Sequence, residues 1–564
     1  MTVTAEDRRL SLDGLLDDLL DARLIPAHTA RALRSQGLAA DDHPLELIAR
    51  QGLPDPRQPG QRLDMEALCQ WLAAQAGQPY LYIDPLQLDL AATTGLMSAA
   101  FARRHGLLAV AADSQGVTVA SAEPYVTSWE ADLAQVLRRP IKRVLASPLQ
   151  IRQFSQAFFR LARSVDGASR QQASPVHNLE QLLELGSDDR QRDSEDAHIV
   201  TLVDWLLQYA FDQRASDIHL EPRRDQGHLR FRIDGLLHPI YQFPAEVTLA
   251  VVSRRKTLGG MNVAEKRRPQ DGRIKTRLPT GNEVELRLST LPTTFGEKLV
   301  LRIFDPLLMQ QDFAQLGLDG ENLAHWQAMI GQRHGLILVT GPTGSGKTST
   351  LYATLKYLAS PQVNLCTVED PIEMVEPQFN QLQVHPAIDL GFAEGTRALL
   401  RQDPDIIMIG EIRDLETAQV AFQAALTGHL VLSTLHTNDA CGAISRLLEL
   451  GIAAHLIKAG LVGVMAQRLV RTLCLACKAP TATGYLARGC NECRQTGYHG
   501  RTGIHELLRL SDTLKAAICA DTDLATLRRQ ALAEGLRSLH DDGAQKVAAG
   551  LTSESEVLRV ASGN

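Results

Sequence analysis

The chain has 564 residues, too many for one hydrophobic core, and this length predicts roughly three to five domains. Hydrophobic residues make up 44% and charged residues 22%, as in ordinary globular proteins, and the net charge of −7 argues against nucleic acid as the main partner. No apolar run approaches the roughly 18 residues of a membrane-spanning helix, and the acidic, mixed residues 1–18 predict no secretory signal.

Residues 1–163 predict an N-terminal α/β accessory domain. Apolar residues at helical spacing indicate helices in 10–24, 28–36, 65–76 and 147–161. Residues 79–84 are expected to form a strand, and residues 106–120 a β-hairpin. We find no catalytic constellation in this block, so a role in docking or packing is expected for it.

A polar stretch and a second α/β domain are predicted next. Residues 164–196 are rich in Ser, Gln, Asp and Arg, which is typical of a flexible linker with some helix. The second domain covers residues 197–310. Its predicted elements are an amphipathic helix and four strands, at 199–211, 216–220, 229–233, 283–289 and 299–304.

A phosphate-binding loop follows a short apolar run at 335–340 and precedes a segment with helical spacing at 349–358. Strand, glycine loop and helix are the context that the G-x-x-x-x-G-K-[ST] motif requires, so a nucleoside triphosphate is the expected ligand. Lys347 is expected to reach the β- and γ-phosphates, and the Thr348 hydroxyl to ligate Mg²⁺. The residues of the motif are Gly341, Pro342, Thr343, Gly344, Ser345, Gly346, Lys347 and Thr348.

Three more apolar strands are predicted after this loop, and each one ends in polar residues. Their ranges are 364–368, 406–409 and 430–433. Alternating strands and helices over residues 311–564 predict a mostly parallel, helix-flanked sheet, whose ligands bind at the carboxyl ends of the strands. Glu411 lies at one such end, three acids lie within 369–373, and His436 follows the third strand. Such carboxylates can hold magnesium or orient an attacking water molecule.

Eight cysteines are present, and four of them form two C-x-x-C pairs separated by twelve residues. The pairs are Cys474 with Cys477 and Cys490 with Cys493. Four thiolates at this spacing suit a closed, structural Zn²⁺ site in an insert over residues 474–493, and a disulfide or redox motif is the alternative. The other four cysteines are scattered, which argues against a disulfide framework and predicts a reducing, cytoplasmic location.

Several long motifs resemble those of the type II/type IV secretion ATPases, the hexameric motors of protein secretion and pilus assembly. EDPIE (369–373), DPDIIMIGEIRD (403–414) and TGHLVLSTLHTNDA (427–440) resemble their aspartate box, Walker B segment and histidine box. SDIHLEP (216–222), RRPQDGR (267–273) and STLPTTFGEKLVLR (289–302) resemble their second N-terminal domain, and GYHGRTGIHELL (497–508) follows the family's zinc insert. The resemblance covers residues 199–510. It implies a RecA-type P-loop NTPase domain preceded by a smaller α/β domain.

The same resemblance implies roles for individual residues. Glu411 takes the Walker B position, and His436 lies in the histidine box with His429 nearby. Glu369, Asp370 and Glu373 form the aspartate box, where Glu373 or Glu369 would activate water. Four arginines match family arginines, of which the first two approach the phosphates of a nucleotide: Arg287, Arg302, Arg397 and Arg401.

The resemblance therefore predicts an ATPase that uses ATP with Mg²⁺ and works as a cytoplasmic homo-hexamer, peripheral to the inner membrane through its partners. The first expectation is a motor for type II secretion that acts on an inner-membrane platform protein. A type IV pilus extension motor is the alternative. A nucleotide-dependent switch or scaffold and a DNA-handling motor also stay open, although the complete catalytic set argues against the first and the acidic charge against the second.

PYLYIDPLQLD (79–89) resembles N-terminal domains of this family, some of which bind the cytoplasmic domain of a membrane-anchored assembly protein and some a cyclic dinucleotide. The arginine–glycine start that is typical of the cyclic-dinucleotide readers is replaced by ARLIP at 22–26. Docking to a membrane-anchored partner is therefore the expected role of this block.

Overall fold

The structure is a computed structural model that describes residues 7–38, 42–57, 62–84, 88, 93–172, 197–277, 283–304, 311–481, 484–490 and 492–561. The chain divides into two compact units, Met1–Ile303 and Phe304–Asn564. Within the described ranges, no helix is both long enough and apolar enough to span a bilayer.

The first unit begins with a small helical layer around a leucine-rich core. Its helices are α1 (Leu12–Asp21), α2 (Ala27–Gln36), α3 (Pro44–Ala49) and α4 (Met65–Ala76). The side chains of Ser11 and Asp64 accept backbone amide hydrogen bonds at the starts of α1 and α4. These two N-caps satisfy donors that the first turn of a helix leaves unpaired. The helices predicted at 10–24, 28–36 and 65–76 are confirmed.

A three-stranded sheet follows, with β1 (Leu107–Asp113), β2 (Gly116–Ser121) and β3 (Ile141–Leu145) in that order, and with α5 (Ala99–His105) and α6 (Ser128–Leu137) beside it. The strands β1 and β2 form the predicted hairpin.

The strand predicted at 79–84 is wrong. Tyr80 makes only an isolated bridge to Leu145, flanked by backbone hydrogen bonds of 2.8 Å that link Leu145 to Pro79 and Leu81. The reason is that β3 ends at Leu145, so no strand remains for these residues to pair with.

The long helix α7 (Pro148–Gln172) starts where the sequence predicts and extends into the stretch predicted as a linker. It packs against α8 (Ala197–Asp212) in one apolar core with α9 (Ala245–Leu258) and the next sheet. The core includes Phe158 and Leu161 of α7 and Leu202 and Leu206 of α8. Most of the predicted linker, residues 173–196, lies outside the described residues.

The second sheet of the first unit has six strands in the order β6-β5-β4-β9-β8-β7. Its strands are β4 (Asp217–Pro222), β5 (Gln226–Ile233), β6 (Leu236–Pro244), β7 (Gln270–Arg277), β8 (Glu283–Thr293) and β9 (Gly296–Phe304). The four strands predicted here are confirmed. The central strand β4 is buried along its whole length.

The second unit is built on a seven-stranded sheet in the order β12-β11-β13-β14-β10-β15-β18. Neighbouring strands are parallel, except that β18 runs antiparallel to β15. Its strands are β10 (Gly335–Thr340), β11 (Leu365–Glu369), β12 (Asn380–Gln383), β13 (Ile406–Ile409), β14 (Leu430–Leu435), β15 (Leu461–Leu473) and β18 (Tyr498–Arg509). Two short strands, β16 (Ala479–Thr481) and β17 (Gly484–Leu486), pair separately. The mostly parallel sheet that the sequence predicts is confirmed.

Apolar side chains from both faces of this sheet enter two cores. Leu336 and Leu338 of β10 belong to one core, whereas Ile337 and Val339 belong to the other. A strand that is buried on both faces needs such a continuous apolar run, which is why these strands are visible in the sequence. The helices of this unit are α10 (Gly320–Ile330), α11 (Lys347–Leu358), α12 (Phe392–Leu399), α13 (Leu415–Leu426), α14 (Ala440–Glu449), α15 (Ala454–Gly460), α16 (Asp512–Ala517), α17 (Leu524–Ala533), α18 (Leu539–Ala548) and α19 (Glu554–Ala561).

Candidate nucleotide site and cysteine cluster

The phosphate-binding loop connects the carboxyl end of β10 to the first residue of α11. Gly344 and Gly346 have φ angles of +79° and +85°, the left-handed region that favours glycine. Gly346 is the N-cap of α11, so the amides of the loop and the positive end of the helix dipole lie together. Backbone amides in this arrangement form a binding site for an anion such as a phosphate group.

Lys347 is held against this loop. Its Nζ atom donates hydrogen bonds to the carbonyl oxygens of Gly341 at 2.7 Å and Pro342 at 3.1 Å. Burial lowers the pKa of Lys347 to about 8; the charge of Glu411 opposes this shift and that of Arg468 adds to it. Charged phosphate oxygens are stronger acceptors than carbonyls, so the ammonium group is available to a phosphate at the loop.

Glu411 and His436 come together at the carboxyl ends of β13 and β14. Their side chains approach to 3.4 Å between Nε2 and Oε2, and Arg413 also pairs with Glu411. The two strand ends are tied by the Thr434 hydroxyl, which donates to the Gly410 carbonyl oxygen at 2.8 Å. The structure thus brings a carboxylate, an imidazole and the phosphate-binding loop to one edge of the sheet.

Two glutamates of the aspartate box have different surroundings. Glu369, at the end of β11, is buried and accepts hydrogen bonds from the Tyr352 hydroxyl at 2.7 Å, the Thr367 hydroxyl at 2.7 Å and the Gln381 amide at 3.1 Å. Burial and the charge of Glu369 raise the pKa of Tyr352. Glu373 is half-buried four residues further on. The oxygens of Glu369 are therefore engaged by three donors within the protein.

His429, which the sequence places near the histidine box, lies at the opposite end of β14 from His436. It precedes β14, and its carbonyl oxygen accepts the backbone N–H of Gly335 at the first residue of β10. Its ring Nδ1 lies 3.0 Å from the carbonyl oxygen of Ala424, at the end of α13. A parallel strand carries its first and last residues to opposite edges of the sheet.

Arg397 and Arg401 are exposed on and just after α12. Arg397 pairs with Glu416 at 2.7 Å and Glu394 at 3.3 Å, and the Arg401 guanidinium donates to the Arg397 carbonyl oxygen at 3.0 Å.

Arg287 and Arg302 belong to the first compact unit, on β8 and β9. The Arg302 Nε atom donates to Asp217 at 3.1 Å, and the Arg287 Nε atom lies 3.8 Å from Glu285.

The four predicted zinc ligands form one cluster just beyond the end of β15. The sulfur atoms of Cys474, Cys477, Cys490 and Cys493 all lie within 4.8 Å of one another. Three pairs are 3.7 Å apart, much longer than a disulfide bond. Zinc–sulfur bonds of about 2.3 Å in a tetrahedron place the sulfurs about 3.8 Å apart, so the four thiols fit zinc.

Backbone groups orient this cluster further. The amides of Cys490 and Gly497 both donate to the Cys493 sulfur at 3.1 Å, and these bonds lower the pKa of Cys493 although burial opposes the shift.

Lys478 donates to the Gly550 carbonyl oxygen at 2.8 Å, and the hydroxyls of Tyr498 and Ser553 lie 2.6 Å apart. The insert and the adjoining start of β18 are thus bonded to the segment between α18 and α19.

Sequence reasoning missed four side chains around the nucleotide site, namely Tyr352, Gln381, Gln467 and Arg468. The first two contact Glu369, and the last two lie beside the phosphate-binding loop. The amide and charged pair at 467–468, which directly follows the apolar start of β15, is a signal that could have revealed the last two, because buried polar groups need a partner.

Comparison with known proteins identifies the family. The family described as type II/IV secretion system protein matches residues 192–559, and an MshEN domain matches residues 76–165. A type IV pilus assembly ATPase of Acinetobacter baylyi, TfpB, is 51% identical over 540 residues, which cover 92% of each chain. Type II secretion system protein E of Pseudomonas aeruginosa is 41% identical over 482 residues, which cover 82% of this chain and 95% of the relative.

Among solved structures, the ATPase DotB of Legionella pneumophila has a similar fold. The TM-score is 0.51 at 21% identity, over 64% of this chain and 96% of DotB. The fold, the phosphate-binding loop and the match over residues 192–559 lead to one conclusion. The chain belongs to the type II/IV secretion system protein family and is an ATPase of that family.

Proposed function

We propose that this ATPase is the motor that drives type IV pilus assembly. The observation that carries the proposal is the extent of the match to TfpB, which includes 92% of both chains at 51% identity. Relatives named for type II secretion match shorter parts of this chain, from 65% to 82%. Type II secretion is the second candidate, favoured by the 41% identity to the Pseudomonas aeruginosa protein E over 82% of this chain.

In the proposed reaction the triphosphate lies against the amides of the phosphate-binding loop, with Lys347 at its β- and γ-phosphates. Thr348, half-buried in the first turn of α11, and Glu411 are suited to hold Mg²⁺, which would neutralise part of the phosphate charge. His436 lies 3.4 Å from Glu411, where it would respond to the charge at the γ-phosphate.

Glu373 is the proposed residue that activates the attacking water molecule. A carboxylate whose oxygens already accept several hydrogen bonds from the protein is a poor general base. Glu369 is engaged by Tyr352, Thr367 and Gln381, so it suits a positioning role beneath Glu373. The backbone N–H of Glu373 lies 3.5 Å from Glu369, which supports this division of labour.

Four arginines are proposed to act on the phosphates or between subunits of the assembled ring: Arg287, Arg302, Arg397 and Arg401. Charge on the transferring phosphoryl group must be neutralised, and an arginine can contribute about 10³–10⁵ in rate. Arg397 pairs with Glu416 at an exposed position, and the Arg302 side chain is exposed although its partner Asp217 is buried. Exposed ion pairs of this kind are weak and readily exchanged for a phosphate.

The proposed assembly is a cytoplasmic homo-hexamer at the inner membrane. It would act on an inner-membrane platform protein, and residues 1–163 would dock on the cytoplasmic domain of a membrane-anchored assembly protein. The match of residues 76–165 to an MshEN domain supports a binding role for this block. The proposed domain division is 1–163, a linker at 164–196, 197–310, and 311–564, with a structural zinc in the insert at 474–493.

The test is a gene deletion in the source bacterium, complemented with wild type or with Lys347→Ala. If the proposal holds, the deletion removes surface pili, wild type restores them, and Lys347→Ala does not. Surface pili are counted by electron microscopy, and secreted enzymes are assayed in the same culture supernatants. Loss of secreted enzymes with normal pili would assign the chain to type II secretion instead.

A further inference from the structure

The strand β15 continues past the carboxyl end of β10 and runs beside the phosphate-binding loop. In the register of these two strands Thr340 is opposite Ala466, so the next two residues of β15 lie next to the start of the loop. These residues are Gln467 and Arg468, and their exposed fractions are 0% and 8%. Burying an amide and a guanidinium in a sheet is costly unless both are hydrogen-bonded, so their partners indicate their roles.

Gln467 forms the wall behind the loop. Its Oε1 atom accepts a hydrogen bond of 2.7 Å from the Thr350 hydroxyl in the first turn of α11. A Cβ atom at Gly341 would lie 2.5 Å from the backbone oxygen of Gln467, and one at Gly346 would lie 2.8 Å from its side-chain nitrogen. The loop therefore packs directly on β15 at both of its ends.

Arg468 connects this wall to a second loop of the site. Its Nη1 atom donates to the Gln467 carbonyl oxygen at 3.1 Å and lies 3.1 Å from where a Cβ atom of Gly341 would be. Its Nη2 atom donates to the carbonyl oxygen of Asn438, two residues after His436, at 2.7 Å. One planar guanidinium thus links β15, on which the phosphate-binding loop packs, to the loop that carries His436.

A second contact joins the last residue of β10, just before the phosphate-binding loop, to the loop that carries His436. The backbone N–H of Thr437 donates to the Thr340 hydroxyl oxygen at 2.9 Å, and the two threonine hydroxyls lie 2.7 Å apart. On the far side, Glu506 of β18 accepts the backbone N–H of Ala440 at 2.9 Å. The residues that follow His436 are therefore fixed from both sides, and Arg468 is the charged member of this set that also contacts the wall of the phosphate-binding loop.

We propose that Arg468 is a positioning residue for ATP hydrolysis, which keeps the loop that carries His436 at a fixed distance from the phosphate-binding loop. This inference rests on the role proposed above for His436. Arginine suits the task because its planar fork donates in two fixed directions, which a lysine ammonium group cannot do. The hydrogen bonds of Arg468 go to Gln467 and Asn438, and neither involves the loop amides or Lys347. The loss of Arg468 should therefore affect turnover far more than nucleotide affinity.

The test compares Arg468→Gln, Arg468→Lys and His436→Ala in the full-length protein. For each variant, kcat and KM are measured with Mg-ATP, and Kd is measured with a fluorescent ATP analogue. We expect Arg468→Gln to lower kcat by about 10²-fold, the effect of displacing a catalytic group by about 1 Å. KM and Kd should stay within about threefold, because ground-state binding is kept. Arg468→Lys should recover part of kcat.

The matched control is Arg471→Gln, which removes a cation three residues further along β15 whose partner is Glu556 of α19. This variant should lose thermal stability but keep kcat per nucleotide-binding site. Equal losses of kcat and affinity in Arg468→Gln would make Arg468 a phosphate ligand and overturn the inference. A kcat per site equal to wild type would overturn it as well.

His436→Ala separates the inference from the function on which it rests. If His436→Ala is impaired while Arg468→Gln has full activity, only the inference fails. If His436→Ala has full activity, the proposed role of His436 fails and the inference fails with it.

Discussion

Two glutamates of the same acidic motif differ in what surrounds their carboxylates. Glu369 accepts hydrogen bonds from three side chains in the protein interior, whereas Glu373 is half-buried at the edge of the sheet. A carboxylate that accepts three hydrogen bonds can position its neighbours but is a poor base, because taking up a proton would disrupt one of those hydrogen bonds. At the residue scale, the three donors around Glu369 support the proposed division of roles between two glutamates that the sequence could not separate.

We expect Glu373→Gln to lower kcat by about 10²–10⁴-fold, the usual contribution of a general base, with an unchanged thermal midpoint. Glu369→Gln should lower the thermal midpoint. The amide NH₂ group of the new glutamine would face the donors that Glu369 accepts, and a donor left without an acceptor costs about 1–3 kcal/mol. Phosphate release and thermal unfolding measured on both variants check this. Loss of turnover in Glu369→Gln alone, at normal stability, would reverse the assignment.

A buried carboxylate in the last helix gives a pH-dependent contribution to stability. Burial alone would raise the pKa of Glu556, but hydrogen bonds from Arg471 and Arg559 outweigh it and hold the pKa at about 2, below its ordinary value of 4.5. A group whose pKa is lowered in the folded state stabilises the protein above its unfolded pKa and loses this effect as the pH falls.

We therefore expect Glu556→Gln to lower the thermal midpoint at pH 7, because it leaves the partly buried Arg471 without its charge partner, at a cost of up to about 3 kcal/mol. The difference from wild type should shrink as the pH falls from 4.5 toward 2. Thermal unfolding of both proteins over this range is the measurement, with Glu554→Gln as an exposed control on the same helix. A difference that stays constant over the range would contradict the account.

At the scale of elements, the sequence predicts those strands whose apolar runs are continuous. The runs at 364–368, 406–409 and 430–433 correspond to β11, β13 and β14, because strands buried on both faces need apolar residues throughout. The phosphate-binding loop was predictable because all of its glycines and its lysine lie within one segment of eight residues. The edge strand β12 (Asn380–Gln383) has no apolar run, so its sequence does not predict a strand.

Contacts that depend on the order of strands could not be predicted. Gln467 and Arg468 reach the phosphate-binding loop only because β15 lies next to β10, although the two strands are more than one hundred residues apart in sequence. His429 shows the opposite case, since it is only seven positions before His436 but β14 carries the two to opposite ends of the strand. Closeness in sequence was therefore misleading for His429, and distance in sequence gave no information about Gln467 and Arg468.

The cysteine cluster is an element whose removal should affect stability more than chemistry. Lys478 of the insert and Tyr498 of β18 bond the segment between α18 and α19, and no described residue of the insert contacts the phosphate-binding loop through a hydrogen bond. We expect one zinc ion per chain by metal analysis of the purified protein. Cys490→Ser should lose the metal and lower the thermal midpoint, while nucleotide affinity stays near that of wild type.

Cys519→Ser is the matched control, because Cys519 is exposed and lies outside the cluster. It should keep the zinc and the stability of wild type. Protein that contains no zinc, or an equal effect of both substitutions, would contradict the assignment of the cluster as a structural metal site.

At the scale of the whole molecule, two compact units carry different parts of the proposed machinery. The unit Phe304–Asn564 contains the phosphate-binding loop, both acidic motifs and the cysteine cluster, and the unit Met1–Ile303 contains Arg287 and Arg302. In the first unit α7 and α8 share one core, so the accessory block and the six-stranded sheet are packed together rather than joined only by a chain. The composition of the polar stretch at 164–196 did not reveal this shared core, because the stretch contributes Val165 to it while Phe158, Leu161, Leu202 and Leu206 lie on either side.

The most direct test of the central claim is steady-state phosphate release by the assembled full-length protein with saturating Mg-ATP. It is measured for wild type, Lys347→Ala and Glu411→Ala. We expect wild type to turn over ATP, Lys347→Ala to lose both binding and turnover, and Glu411→Ala to bind ATP with little turnover. A wild-type rate no higher than that of both variants would contradict the claim that this site hydrolyses ATP.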